Sequence, residues 1–241
     1  MPKDSEFPSL IDALRQFDSP TVANAIEAFS VRDPVSGYAS MELRCQFPDQ
    51  EPMVGYAVTC TADSTMAGDR RPKRLVDLID VVDQAPKPVV LVIKYVGQDR
   101  FRSCFLGDMF CSWFQKLDGA GIVTDGGFRD RAGIAVRAPN VQLFTPGTVV
   151  SHGHDTFLDF NVTVSICGLT IQPGDLLHGD ANGLLSVPID IAADVADQAA
   201  VIRKAESAYM DFLRSDAFTP DELKRRLSRH DQSVQTPRRS P

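Results

Sequence analysis

Hydrophobic positions recur along the chain with two different periods, and each period predicts a different element. Leu10, Ile11, Leu14 and Phe17 fall on one helical face and predict a first helix over residues 8–17. Ser19-Pro20-Thr21 restarts the pattern with Ser19 or Thr21 as cap, and Val22, Ala25, Ile26 and Phe29 face inward to about Phe29. Leu75, Leu78, Ile79 and Val82 predict a helix over residues 75–84, stopped by Pro86 and Pro88. Met109, Phe110, Trp113, Phe114 and Leu117 repeat the helical period directly after Gly107-Asp108. Strand patterns lie between these helices. Residues 55–61 (GYAVTCT) and 89–95 (VVLVIKY) are the clearest, and the unbroken apolar run of the second predicts burial on both faces. Shorter strands are expected at 42–47, 121–124, 141–144, 161–166 and 168–171, with 132–137 leading into another. Asn182-Gly183 predicts a hairpin whose second strand is 184–187. A long helix is expected over 189–213, acidic early and basic later, as the helix dipole favours. Thr219 caps a last short helix with Pro220 at its first position.

A chain of 241 residues buries a full core as one domain. We expect a catalytic domain over residues 1–218, then a short basic helix and tail over 219–241. Lys224, Arg225, Arg226 and Arg229 read as a solvated face, and the composition beyond Asp231 is that of a disordered end. The apolar content of 43% and charged content of 24% are those of an ordinary globular protein. The formal net charge of -7 argues against a nucleic-acid partner. No apolar run reaches the ~18 residues of a membrane span, and the N-terminal residues lack the apolar core of a signal peptide. A cytoplasmic location is the expectation. The five cysteines are scattered, without a Cys-x-x-Cys pair, and read as free buried thiols.

Several chemistries have no support in the sequence. Dinucleotide and P-loop glycine patterns are missing, and no serine sits in a Gly-x-Ser-x-Gly elbow. His152 and His154 stand two apart with no third ligand at a convincing interval. Lys94 is the one candidate for a Schiff base. Arg100 and Arg102 precede Gly107 and are candidates, with His152, for contacts to a substrate tail. What remains is a set of two carboxylates and an arginine between Cys104 and Asp130. Such a set suits an oxygen-liganded divalent ion, a fixed guanidinium charge and an anion held at a helix start after Gly107.

Asp108, twenty intervening residues and then Arg129-Asp130, within GDMF and TDGGFRD, resemble the motif of the class II pyruvate aldolases. These are the 4-hydroxy-4-methyl-2-oxoglutarate aldolases and their RraA-like relatives. Pro173-Gly174-Asp175, Gly179-Asp180, Gly183 and Pro188 form a second matching block, and the resemblance spans roughly Thr21 to Pro188. It implies a single α/β domain of β/β/α layering, of the swivelling type, around a mixed sheet. It implies a trimer, stacked in some cases into a hexamer, and Mg²⁺ or Mn²⁺ as cofactor. It implies catalytic roles for Arg129, Asp108 and Asp130, and a site for a 2-oxo acid formed by Gly107, Asp108, Met109, Phe110 and Arg129. Asp130 would be the carboxylate nearest the metal, with Asp108 in its outer shell. The implied reaction cleaves a 4-hydroxy-2-oxo acid to pyruvate, with oxaloacetate decarboxylation through the same enolate. A non-enzymatic regulator resembling the ribonuclease E inhibitor, or another metal-dependent 2-oxo-acid or sugar-acid lyase, is the alternative. Two departures stand out: relatives often carry Asp where this chain has Lys94, and many carry Asp at the position of Asn24.

Overall fold

A computed structural model describes residues 7–65, 74–154 and 156–234. In chain order the helices are α1 (Phe7–Arg15), α2 (Ser19–Glu27), α3 (Leu75–Gln84), α4 (Asp108–Lys116), α5 (Arg131–Arg137), α6 (Ala192–Leu213) and α7 (Pro220–Val234). The first strands are β1 (Arg44–Cys45), β2 (Met53–Asp63), β3 (Val89–Tyr95), β4 (Cys104–Leu106), β5 (Gly119–Thr124), β6 (Gly127–Phe128) and β7 (Gln142–Thr145). They are followed by β8 (Gly147–Thr148), β9 (Thr156–Phe160), β10 (Val164–Ile166), β11 (Leu169–Ile171), β12 (Leu176–Asp180) and β13 (Gly183–Val187).

An eight-stranded mixed sheet runs β1-β7-β5-β3-β2-β12-β13, with β9 paired to the far end of β2 on the edge away from β3. The pairs β2/β3, β3/β5 and β5/β7 are parallel, and the remaining pairs are antiparallel. β3 lies inside this sheet, and its alternate residues enter two different cores, as a period of two requires. Val89, Leu91 and Ile93 pack with Leu78 and Val82 of α3, Phe110 and Phe114 of α4 and Ile134 of α5. Val90 and Val92 face the other way, onto Val164 and Ile166 of β10 and Leu169 and Ile171 of β11. Helices on one face and a β-hairpin on the other give the β/β/α layering. A third core packs α1, α2 and the first half of α6 onto β2, β12 and β13.

Most elements fall where the apolar periods place them, and several differ, among them the short strands β4, β6 and β8, which no apolar pattern marked. Residues 131–137 form α5 rather than leading into a strand, because Ile134 reaches the core through a helical turn. Asp18, not Ser19 or Thr21, caps α2, accepting the Thr21 N–H at 2.8 Å. Ser19 is instead drawn inward, where its Oγ donates to Nδ1 of buried His178 at 3.1 Å while Nε2 donates to the Phe17 carbonyl at 3.0 Å. β9 was hidden in the sequence, and it pairs with β2 across an irregularity at Cys60 and Ala62. Met109 points to solvent, while Phe110, Cys111 and Phe114 carry the buried face of α4. The hairpin closes as expected, with Asp180 opposite Gly183. Thr219 Oγ1 accepts the Glu222 N–H at 3.2 Å, and the last helix continues to Val234. Residues 66–73, most of the polar loop after β2, and the end beyond 234 lie outside the described residues.

Candidate active site

Two chain segments meet through a small parallel sheet of order β4-β6-β8. Cys104 pairs with Gly127 and Leu106 with Phe128, and the Arg129 N–H continues the ladder to the Leu106 carbonyl at 2.8 Å. Gly107-Asp108 and Arg129-Asp130 therefore leave adjacent strands side by side, although twenty residues separate them in sequence. This contact is closest at Gly107. A Cβ there would lie 2.8 Å from Asp130 Oδ2 and 3.4 Å from Arg129 Nε, so a side chain at this position would displace the carboxylate.

Asp130 occupies the left-handed region at φ 60° and ψ 36°, which Asp tolerates better than most residues. Its carboxylate faces Arg129 Nε at 3.7 Å and accepts no hydrogen bond at shorter range among the described residues. The two side chains are 39% and 36% exposed, so both can be reached from solvent. Asp108 begins α4 and is more enclosed. Its Oδ1 accepts the Met109 N–H at 2.7 Å, and its Oδ2 pairs with Arg137 from the last turn of α5. The first helical turn leaves N–H groups without intrahelical partners. Cys111 N–H already bonds to the Gly107 carbonyl at 3.0 Å, and Met109 N–H is engaged by Asp108. The N–H groups of Asp108 and Phe110 remain for an anion, where the helix dipole also favours negative charge. Behind this turn, burial pushes the Cys111 thiol up to about 12, which keeps it protonated and inert as a nucleophile.

The other candidates sit elsewhere. Lys94 is not a free amine: its Nζ meets Asp125 Oδ2 at 2.5 Å. Asp125 Oδ1 accepts the Tyr95 N–H at 3.0 Å, and Arg100 donates to the Asp125 carbonyl at 3.2 Å and pairs with Glu42 at 3.6 Å. Arg102 is exposed and pairs with Asp99 at 3.5 Å. His152 and His154 lie on an exposed loop. Asp175 and Asp180 hold turns, accepting the N–H groups of Gln172 at 2.8 Å and of Asn182 at 2.7 Å. Among the described residues, no three His, Cys, Asp or Glu side chains converge as a metal cluster. Sequence reasoning missed Arg137. The signal was its spacing: Gly133 and Arg137 are four apart and share one helical face, but only once 131–137 is read as a helix.

The RraA-like family model, described as Aldolase/RraA, matches residues 10–185. The chain belongs to this family. It is 37% identical over 83 residues to a candidate 4-hydroxy-4-methyl-2-oxoglutarate aldolase of Halalkalibacterium halodurans, covering 34% of this chain and 39% of that protein. It is 31% identical over 127 residues to protein DlpA of Legionella pneumophila, covering 52% of this chain and 20% of that protein. The matches thus span well under half the length of these two relatives. Among solved structures it is similar to RraAS2 of Streptomyces coelicolor, described as an unusual member of the RNase ES inhibitor RraA family. That likeness has a TM-score of 0.65 at 25% identity, over 87% of this chain and 97% of the other. The α/β swivelling fold of the RraA-like proteins is shared. No helix among the described residues is long and apolar enough to cross a membrane.

Proposed function

We propose that this RraA-like protein is a divalent-metal-dependent lyase that cleaves a 4-hydroxy-2-oxo acid and releases pyruvate, with oxaloacetate decarboxylation as a related activity. The observation that carries this reading is the meeting of Arg129, Asp130 and the open first turn of α4 at Gly107. The donor set fits Mg²⁺ or Mn²⁺. Asp130 offers a hard, accessible carboxylate that accepts no short hydrogen bond among the described residues, and such ions bind through one or two carboxylates while keeping several waters. When bound, the ion supplies Lewis-acid polarisation of the substrate's keto oxygen. The chain supplies the rest. The N–H groups of Asp108 and Phe110 hold the substrate carboxylate. The Arg129 guanidinium stabilises the negative charge that develops on the pyruvyl oxygen as the carbon–carbon bond breaks. Asp108 lies at the edge of this site and would belong to the outer shell of a bound ion.

The site is open on one chain: Met109 beside it is 83% exposed. A homotrimer or a hexamer of stacked trimers, with the site walled by a neighbouring copy, completes the proposal, and mass measurement in solution tests it. Residues 1–218 then form the catalytic unit and 219–241 an appendage to it.

Pyruvate release from oxaloacetate, coupled to lactate dehydrogenase, is the direct test. Turnover should require Mg²⁺ or Mn²⁺, vanish with EDTA and return when metal is added. Full turnover after exhaustive chelation would reject the metal dependence. The likeness to RraAS2 favours one second reading, a regulator that binds a ribonuclease. Absence of turnover with any 2-oxo acid, together with tight ribonuclease binding, would establish that reading instead.

A further inference from the structure

The two aspartates of the site carry the same charge but are not equally available. Both carboxylate oxygens of Asp108 are already engaged, Oδ1 by the Met109 N–H and Oδ2 by Arg137. Its side chain is only 16% exposed. Asp130 has the loose contact to Arg129 at 3.7 Å and no hydrogen bond among the described residues. A cation can coordinate Asp130 directly, whereas Asp108 must first give up a guanidinium.

We propose that Arg137 is a positioning residue that withholds Asp108 from direct metal coordination, leaving Asp130 as the direct protein ligand of this chain. The inference rests on the divalent-metal reading above and extends it to a residue outside the motif. The contact is built into the packing of two helices. α4 and α5 both enter the core beside β3, and residue 133 of α5 is a glycine under the Asp108 side chain. A Cβ at Gly133 would lie 2.9 Å from Asp108 Oδ2 and 3.1 Å from Asp108 Cβ. The missing side chain lets α5 approach, and Arg137, one turn further on, then covers the carboxylate. Arg137 itself is 64% exposed and makes no other ion pair among the described residues. Its substitution therefore removes a charge and a contact, not a piece of core.

Mn²⁺ binding to the full chain without substrate, followed by electron paramagnetic resonance and calorimetry, tests this without reliance on activity. Arg137→Gln should tighten Mn²⁺ by ~3- to 10-fold at low ionic strength, because the Asp108 carboxylate is released to the site. Arg137→Lys should stay within ~2-fold of the parent, since the charge still covers Asp108. In an Asp108→Asn background, Arg137→Gln should change affinity by less than ~2-fold, because the released ligand is gone. Equal Mn²⁺ affinity in the parent and Arg137→Gln, both melting normally, would overturn the inference and leave the metal reading intact. The same tightening in the Asp108→Asn background would also overturn it, reducing Arg137 to a distant charge. No Mn²⁺ binding by either protein would remove the metal reading and this inference together.

Discussion

Asp125 and Asp130 lie five residues apart, on either side of β6, and their carboxylates meet opposite surroundings. The Asp125 side chain is 3% exposed and engaged on both oxygens, by Lys94 at 2.5 Å and by the Tyr95 N–H at 3.0 Å. Asp130 is 36% exposed and faces Arg129 at 3.7 Å. A buried carboxylate needs its partners to offset the loss of water. A carboxylate left partly open keeps lone pairs for something that is not protein. The first residue builds the turn between β5 and β6, and the second stands after β6 at the start of α5.

The largest expected effect is on the open side. Arg129→Ala should lower kcat for oxaloacetate by ~10²–10³, the usual cost of losing one charge-stabilising group, while the melting temperature stays near that of the parent. A variant that melts normally and turns over at the parent rate would remove Arg129 from the reaction. The closed side should respond in stability. Asp125→Ala strands Lys94 and the Tyr95 N–H and should cost about 2–3 kcal/mol in denaturant unfolding. Replacing both side chains, Lys94→Met with Asp125→Leu, should recover the part due to the stranded amine and leave the part due to the Tyr95 N–H. A double variant as unstable as Asp125→Ala would show that the pair does more than satisfy itself.

A second closed polar site sharpens the contrast through pH. Burial lowers the pKa of His178 below its ordinary 6.5, although the nearby Asp180 charge works against the shift. The neutral ring is the form that accepts from Ser19 and donates to the Phe17 carbonyl. The unfolded chain takes up this proton as pH falls through about 6.5, and the folded chain does so only lower down. His178 therefore contributes its full stability above about pH 7 and loses it progressively below about 6.5, by at most about 1.4 kcal/mol per pH unit. Urea unfolding at pH 7.5 and 5.5 should show this loss in the parent and a smaller one in His178→Gln. Equal losses would assign the pH dependence to other groups. The smallest effect belongs to the exposed pair of Arg102 and Asp99. Arg102→Ala should change stability by less than ~0.5 kcal/mol. A large rise in KM alone would give Arg102 a role toward the substrate tail.

The open half of this comparison was marked in the sequence by the motif it shares with the RraA-like family, whose residues lie at turns and strand ends. Gly107-Asp108 and TDGGFRD could be read as a unit without knowing what packs on them. The closed half was not. Lys94 and Asp125 are brought together by the parallel pairing of β3 and β5, a register that no local pattern specifies. Arg137 was lost because AGIAVR, with a Gly and a following Pro, reads as a strand approach, while only tertiary packing of Ile134 makes it helical. Met109 was misplaced for a related reason. Both it and Phe110 fit a loose three-to-four repeat, and burial of Phe110 with Cys111 decides which way the helix turns. Burial of β3 on both faces, by contrast, followed from the apolar run of residues 89–95, while the β/β/α layering was legible only through the family resemblance.

The small sheet β4-β6-β8 also sets which changes of length the site can survive. Its strands align Gly107 and Arg129 by ladder position, Cys104 against Gly127 and Leu106 against Phe128. Chain between the two strands is only a crossover, made of α4, a turn at Leu117–Asp118 and β5. An extra residue at that turn can be absorbed as a longer loop, leaving the two ends in place. An extra residue between Gly127 and Arg129 would invert which side of the ladder each following side chain takes, turning Arg129 away from Gly107. The twenty-residue interval of the motif is thus elastic in its middle and rigid at its ends.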